Sequence, residues 1–294
     1  MSSTDTDSHY KFYHYYPSLA GATVMAVVFG LMTAWQLFLI AKHRTWYFIP
    51  LVIGGIFEIV GYAARGVSNT QAPNPTLAPY VIQTLLLLVA PALFAATIYM
   101  ILGRVILSVD GESLSLIKKK WLTKIFVTSD VISFIVQLGG GGLMASSDAS
   151  QAQMGSHIVL AGLLLQIIIF GFFVVVALVF HLRMCATPTY QAHNPSLPWK
   201  KSLYVLYITC TFIMIRSIVR VAEFVEGFEG TIILHEVYLY VFDAVPMAGV
   251  MFIYCIWYPS HYSRQAPKAI LDREIEDSNL ELEFRGGEMT SDGH

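Results

Sequence analysis

The chain has 294 residues, of which 55% are hydrophobic and only 13% are charged. An ordinary soluble domain carries roughly a quarter charged residues, so this composition excludes a typical water-soluble fold. The net charge is −2, and basic residues form no run outside the short connections, which argues against nucleic acid as a partner.

Seven apolar runs follow one another along the chain, and each is long enough to cross a bilayer, which needs about 20 helical residues. They cover approximately residues 19–41, 47–67, 80–102, 122–145, 157–182, 203–224 and 237–258. We therefore predict an all-α integral membrane bundle of seven transmembrane helices over residues 19–258. The alternative is a bundle of six or eight crossings with one re-entrant run. Pro91 and Pro246 predict kinks in the third and seventh helices.

Lysine and arginine residues alternate between the connections of this bundle. They occur in the first, third and fifth connections and in the C-terminal segment, whereas the second, fourth and sixth have none beyond Arg65 at a helix end. Connections rich in lysine and arginine stay in the cytoplasm. We therefore predict that residues 1–18 form an extracytoplasmic N-terminal segment. Residues 259–294 are expected to be a cytoplasmic, acidic and disordered tail.

Four of the predicted helices carry polar side chains at helical spacing. Each charged group inside a membrane span costs about 2.5–3.5 kcal/mol to insert, so such groups face the bundle interior and usually pair. The candidate substrate-binding or translocation residues are Glu58, Tyr62 and Arg65 in the second helix, Asp130 and Gln137 in the fourth, Arg216, Arg220 and Glu223 in the sixth, and Glu236, Tyr240 and Asp243 in the seventh.

This polar set has two interpretations. It predicts either a cavity open to the outer side, suited to an amphiphile with a cationic or zwitterionic head, or polar contacts that hold helices together by about 0.6 kcal/mol each. The carboxylates of Glu58, Asp130 and Asp243 could bind the cationic head or carry a proton. Asp130 could instead pair with Arg104. The four glycines at 139–142 predict a flexible break or close helix packing.

The order of these motifs carries a resemblance to a known family. Glu58-x2-Gly61-Tyr62-x2-Arg65, Asp130-x6-Gln137, Arg216-x3-Arg220-x2-Glu223 and Glu236-x3-Tyr240-x2-Asp243 follow one another along the chain. This series resembles the fungal lipid-translocating exporter family, also called RTA-like proteins. The resemblance implies a seven-helix protein, commonly at the plasma membrane. It also implies a link to tolerance or movement of sphingoid long-chain bases, sterol-like amphiphiles and toxic compounds, with porphyrin uptake in some members.

We predict from these features a membrane translocator of amphiphilic lipids or lipid-like toxic compounds, of the sphingoid long-chain base class, that confers tolerance. We expect no enzymatic activity, no cofactor and no metal, and the partners are membrane lipids or amphiphilic small molecules. The phosphate-loop motif Gly-x4-Gly-Lys-[Ser/Thr] is absent, so we expect no ATP hydrolysis in this chain. A seven-helix lipid sensor or receptor is the main alternative. A membrane lipid hydrolase is a minor one, because neither His-x3-His nor Gly-x-Ser-x-Gly occurs.

Overall fold

The computed structural model describes residues 18–70, 77–117, 119–144, 148–193, 197–226 and 236–259. The part predicted as acidic tail after residue 259 and all but the last residue of the predicted N-terminal segment lie outside this range. The described residues form seven helices: α1 (Leu19–His43), α2 (Ile49–Thr70), α3 (Leu77–Ser108), α4 (Lys119–Met144), α5 (Ala149–Ala186), α6 (Trp199–Glu226) and α7 (236–256). Short 3-10 turns lie in several connections.

The helices form an apolar bundle of the size that a membrane requires. α1 to α6 are each long and apolar enough to span a bilayer, and α7 contributes a shorter apolar helix, Tyr240–Ile256. Large apolar side chains cover the outer surface; Leu31, Ile168 and Ile256, for example, are 69%, 67% and 70% exposed. So much exposed apolar surface would be unfavourable in water, whereas it packs favourably against lipid tails. The predicted seven-helix membrane fold is confirmed.

Neighbouring helices in the chain pack against each other, and α7 closes the bundle by lying between α6 and α1. α3 also contacts α6, so these two helices share the interior. The helix starts follow the sequence locally: the Ser18 side chain accepts a hydrogen bond from the Gly21 amide at 3.2 Å, and Asp148 caps α5 through the Ser150 amide at 3.0 Å. Such caps satisfy amide groups that the first turn leaves unpaired.

α7 changes its helical spacing halfway along. It has an α-helical turn at Glu236–Leu239, a π-helical turn at Tyr240–Ala244, and an α-helix from Val245 to Ile256. Pro246 explains the change, because proline has no amide hydrogen and its ring clashes with the carbonyl four residues earlier. A wider turn before the proline relieves both problems, and such turns often occur at functional sites.

The connection between α1 and α2 is tied to the end of α7. The hydroxyls of Thr45 and Tyr258 share a hydrogen bond, and the Tyr47 hydroxyl donates to the Pro259 carbonyl at 2.8 Å. Burial raises the pKa of Tyr258 to about 12, although its hydrogen bond with Thr45 acts in the opposite direction. These two hydrogen bonds hold the C-terminal ends of α1 and α7 together at one end of the bundle.

Two glycines let α4 and α5 approach closely. A Cβ atom added at Gly155 would lie 2.5 Å from the Gly140 carbonyl oxygen, and one at Gly140 would lie 2.7 Å from the Gly155 carbonyl oxygen. By contrast, Cβ atoms at Gly139, Gly141 and Gly142 would meet nothing within 4 Å. α4 continues as a helix through all four glycines. Of the two predictions for this run, close helix packing is confirmed, and it involves Gly140 alone of the four glycines.

This contact yields a prediction about stability. Gly155→Ala is expected to destabilise the protein by roughly 1–3 kcal/mol, because the added methyl group would press on backbone atoms that cannot rotate away. Gly142→Ala is the matched control and should be neutral or stabilising, since alanine favours helix by up to about 1 kcal/mol over glycine. Thermal unfolding of the two purified variants in detergent measures the difference. Equal midpoints would contradict the close α4–α5 contact.

Candidate substrate site

α2 presents three polar side chains on one buried face. Glu58, Tyr62 and Arg65 follow at steps of four and three, which places them on the same side of a helix. Their side chains are 1% or less exposed. Phe29 of α1 stacks on the Tyr62 ring with centroids 5.8 Å apart. The face therefore points into the bundle, as its spacing predicts.

Two arginines of α6 and one aspartate of α7 form a buried ion-pair cluster. Asp243 lies in the π-helical turn; its Oδ1 pairs with Nε of Arg216, and its Oδ2 accepts a hydrogen bond from Nη2 of Arg220 at 2.6 Å. The side chains of Arg216 and Asp243 are only 4% and 8% exposed. Arg220 also donates from Nη1 to Glu223 at 3.0 Å, one turn further along α6. Asp243 therefore joins both arginines, and Glu223 lies at the more exposed edge.

Arg216 has a second anchor in α3. Its Nη2 donates a hydrogen bond to the backbone carbonyl of Leu87, four residues before Pro91. In a regular helix the amide of residue 91 would donate to that carbonyl, but proline has no amide hydrogen. Pro91 thus leaves an acceptor open inside the bundle, and the guanidinium of Arg216 fills it. One arginine connects α3, α6 and α7.

Glu58 lies near this ion-pair cluster but forms none of its ion pairs among the described residues. Its carboxyl group lies within electrostatic range of Arg216, Arg220 and Asp243 in the buried interior. Within the described part of the chain, however, Glu58 Oε1 accepts no hydrogen bond, and the buried hydroxyl of Tyr62 on the next turn has no hydrogen-bond partner either. Buried polar atoms are nearly always hydrogen-bonded. These two atoms are therefore exceptions to that rule among the described residues.

Aromatic side chains line the same region between α1, α2 and α7. The Tyr62 and Tyr240 rings stack with centroids 6.2 Å apart, and the Arg65 guanidinium lies 5.7 Å from the centre of the Tyr240 ring. Tyr240 passes close over Gly21, where an added Cβ would lie 2.7 Å from the ring. A glycine in α1 thus makes room for the tyrosine of α7. The aromatic stack forms an apolar wall beside the charged groups.

Asp130 and Gln137 lie elsewhere in the bundle. The Tyr99 hydroxyl of α3 donates to Asp130 Oδ2 at 3.0 Å, and Gln137 donates to Gln166 of α5 at 3.0 Å. Leu87, which contacts Arg216, and Tyr99, which contacts Asp130, are twelve residues apart on α3, or about 18 Å along its axis. Two of the eleven candidates therefore lie outside the ion-pair cluster, each with a partner of its own.

The alternative pairing of Asp130 with Arg104 is wrong. Arg104 lies over the Tyr47 ring, 4.0 Å from its centre. It follows Tyr99 by five residues, which turns it by about 140° around the axis of α3 and away from α4. The helical rotation explains why a pairing that looked possible in sequence does not form.

The remaining candidate, Glu236, begins α7, and its side chain lies outside the described part of the chain. Among the described residues, no group of three or more His, Cys, Asp or Glu side chains is placed to hold a metal ion. Sequence reasoning missed the Leu87 carbonyl as a site group. The sequence signal for this contact was Pro91, four residues after Leu87, together with Arg216 in another predicted helix.

The sequence of residues 51–266 matches the protein family described as RTA1 like protein. Protein RTM1 of Saccharomyces cerevisiae is 46% identical over 208 residues, which cover 70% of this chain and 66% of that protein. Protoporphyrin uptake protein 1 of the same species is 38% identical over 286 residues, covering 85% and 93%. Sphingoid long-chain base transporter RSB1, also from this yeast, is 26% identical over 278 residues, covering 83% and 72%. No solved structure matches the chain.

Proposed function

This chain belongs to the RTA1-like family, and from that premise we propose that it moves amphiphilic lipids or lipid-like toxic compounds of the sphingoid long-chain base class across the membrane and so confers tolerance. Membrane transport in general is supported by relatives that are named for transport or uptake. The substrate class rests on one relative's name together with the chemistry of the buried cluster.

The unsatisfied oxygen of Glu58 is the observation that carries this substrate class. A sphingoid base has a protonated amine that donates up to three hydrogen bonds, and hydrogen bonds between charged groups are the strongest of their kind. Glu58 Oε1 and the Tyr62 hydroxyl are both buried and lack partners among the described residues. A cationic amine would satisfy both atoms. The hydrocarbon tail would pack against the apolar and aromatic side chains of α1, α2 and α7.

The orientation of the bundle belongs to the same proposal. With the N-terminus outside and the tail in the cytoplasm, α2 and α6 run outward, so Arg65, Arg220 and Glu223 lie toward the outer side. Glu58, Arg216 and Asp243 then lie deeper. A plasma-membrane location would give this cluster access to amphiphiles in the outer leaflet. Labelling of single cysteines placed before residue 19 and after residue 259, in intact and opened cells, tests the orientation.

A planar dicarboxylate of the porphyrin type is a second candidate substrate. Arg216 and Arg220 would bind its carboxylates in place of Asp243, since guanidinium groups recognise carboxylates through paired hydrogen bonds. The relative named for protoporphyrin uptake covers most of this chain and supports the idea. The sphingoid base remains the first choice because Arg216 and Arg220 already pair with Asp243 and Glu223, whereas Glu58 Oε1 lacks a hydrogen-bond donor among the described residues.

Transbilayer movement of a fluorescent sphingoid base in liposomes that contain the purified protein tests the proposal. We expect faster movement than in empty liposomes, and no acceleration for a fluorescent alcohol of the same chain length that lacks the amine. Acceleration of a porphyrin alone would favour the second candidate. Tight binding of the base without any movement would contradict translocation and favour a lipid sensor.

A further inference from the structure

Asp130 is a buried acid that the ion-pair cluster does not use. It lies near the middle of α4 and is 4% exposed. Asp243, by comparison, is neutralised by two arginines. The α3 residues that contact Arg216 and Asp130 are Leu87 and Tyr99, which lie about 18 Å apart along a regular helix. Asp130 therefore needs a separate explanation for its presence in the interior.

The surroundings of Asp130 are apolar and uncharged in the described part of the chain. Its hydrogen-bond partner is the Tyr99 hydroxyl at 3.0 Å. The Tyr99 ring packs against Phe126 and Phe173, with centroids 5.3 and 4.5 Å away. The titratable groups that face this site are Tyr99 from α3 and, behind it, Cys210 from α6. Neither of them is a cation.

An ionised carboxylate in such surroundings is costly, and a buried acid without a cation becomes neutral by taking up a proton. A protonated Asp130 keeps the hydrogen bond from Tyr99 and gains an O–H donor of its own. Ser133, on the next turn of α4, has a fully buried hydroxyl without a hydrogen-bond partner among the described residues. It is not hydrogen-bonded to Asp130 in this state, and a rotation of either side chain would be needed for it to accept from that new donor.

We infer that Asp130 is a proton-binding site, and that its protonation and deprotonation couple substrate movement to a proton gradient. The described state holds the proton on the Asp130 carboxyl group. A state that opens this part of the bundle to water would hydrate the carboxylate and release the proton, because water stabilises the charge that the aromatic side chains do not. Each passage between the two states then binds or releases a proton at this carboxyl group. The coupling rests on the proposed translocation, whereas the proton binding does not.

Infrared spectroscopy of the purified full chain in nanodiscs tests the proton binding directly. In the Glu58→Gln background, which removes the other buried carboxyl group whose oxygen lacks a hydrogen-bond partner among the described residues, we expect the C=O band of a protonated carboxylic acid at neutral pH and its loss when Asp130→Asn is added. Tyr99→Phe should shift the band, since the hydrogen bond from the hydroxyl is removed. Glu223→Gln, at the more exposed edge of the other cluster, is the matched control and should leave it unchanged. Absence of the band from the Glu58→Gln protein, or its persistence when Asp130→Asn is added, overturns the site.

Transport under an imposed pH gradient tests the coupling. In liposomes that contain the wild-type protein, the rate of sphingoid-base movement should depend on the pH gradient across the membrane. This dependence should be lost in Asp130→Asn. Asparagine keeps the side-chain volume and an oxygen for Tyr99, and size-exclusion chromatography verifies folding. Lipid movement that ignores the gradient would overturn the coupling and leave the translocator intact. Absence of any lipid movement would overturn both the translocator and the coupling, while the infrared band would still decide the proton site.

Discussion

Replacing Asp243 with asparagine is expected to lower the free energy of unfolding by about 3–5 kcal/mol, because breaking a buried ion pair leaves its partner charge uncompensated. Here two partners are affected, since Asp243 binds both Arg216 and Arg220. The loss should be visible as a large drop in the thermal midpoint in detergent, accompanied by loss of lipid movement.

Glu223→Gln is the matched control for this prediction. Glu223 also pairs with Arg220, but its side chain is 24% exposed and lies at the edge of the cluster. Exposed pairs contribute about 0–1 kcal/mol, so the midpoint should change little. The double variant Arg216→Gln with Asp243→Asn should regain part of the lost stability, because it removes the unpaired charge as well. If Asp243→Asn and Glu223→Gln lowered the midpoint equally, the buried cluster would not be a structural ion-pair network.

Replacing Glu58 with glutamine is expected to weaken ligand binding without lowering the stability of the protein. The change replaces a buried carboxyl group whose Oε1 has no hydrogen-bond partner among the described residues, so stability should be unchanged or higher. Binding of a cationic amphiphile should weaken by roughly ten- to 150-fold, since a hydrogen bond to a charged group contributes about 1.5–3 kcal/mol. Titration of the purified protein with the fluorescent sphingoid base measures the affinity, and thermal unfolding measures the stability.

A glutamate outside the bundle interior provides the control for this second prediction. Glu112→Gln changes the same functional group at an exposed position in the connection between α3 and α4 and should alter neither quantity. A Glu58→Gln protein that binds the amine as tightly as the unchanged protein would remove Glu58 from the substrate site. A strongly destabilised Glu58→Gln protein would instead mean that Glu58 pairs with the arginines as part of the packing.

The pair of variants separates two roles that one sequence pattern cannot distinguish. Asp243 is hydrogen-bonded and ion-paired within the chain, and its loss should affect folding and transport together. Glu58 lies beside the same arginines, but its Oε1 has no hydrogen-bond partner among the described residues. Its replacement should weaken ligand binding and leave the stability of the fold unchanged. Polar residues inside a membrane bundle can thus either hold helices together or bind a ligand. Whether each polar atom has a hydrogen-bond partner within the chain distinguishes the two roles.

The sequence by itself determined the seven helices and the inward direction of their polar faces. A span needs about 20 apolar residues in a row, and the backbone leaves little freedom in where such a helix begins or ends within lipid. The step of 3.6 residues per turn likewise places Glu58, Tyr62 and Arg65 on one side of α2 without reference to any other helix. These features are local along the chain, so composition and spacing were sufficient to predict them.

Only the tertiary structure decided which polar groups meet. The rotation of α3 carries Arg104 away from Asp130, the π-helical turn before Pro246 positions Asp243 between two arginines, and Pro91 opens the Leu87 carbonyl to Arg216. Each of these contacts joins residues far apart in sequence and depends on the angle and depth at which two helices pack. Periodicity within one helix contains neither quantity, which is why the sequence grouped Asp130 with Asp243 and the folded chain separates them.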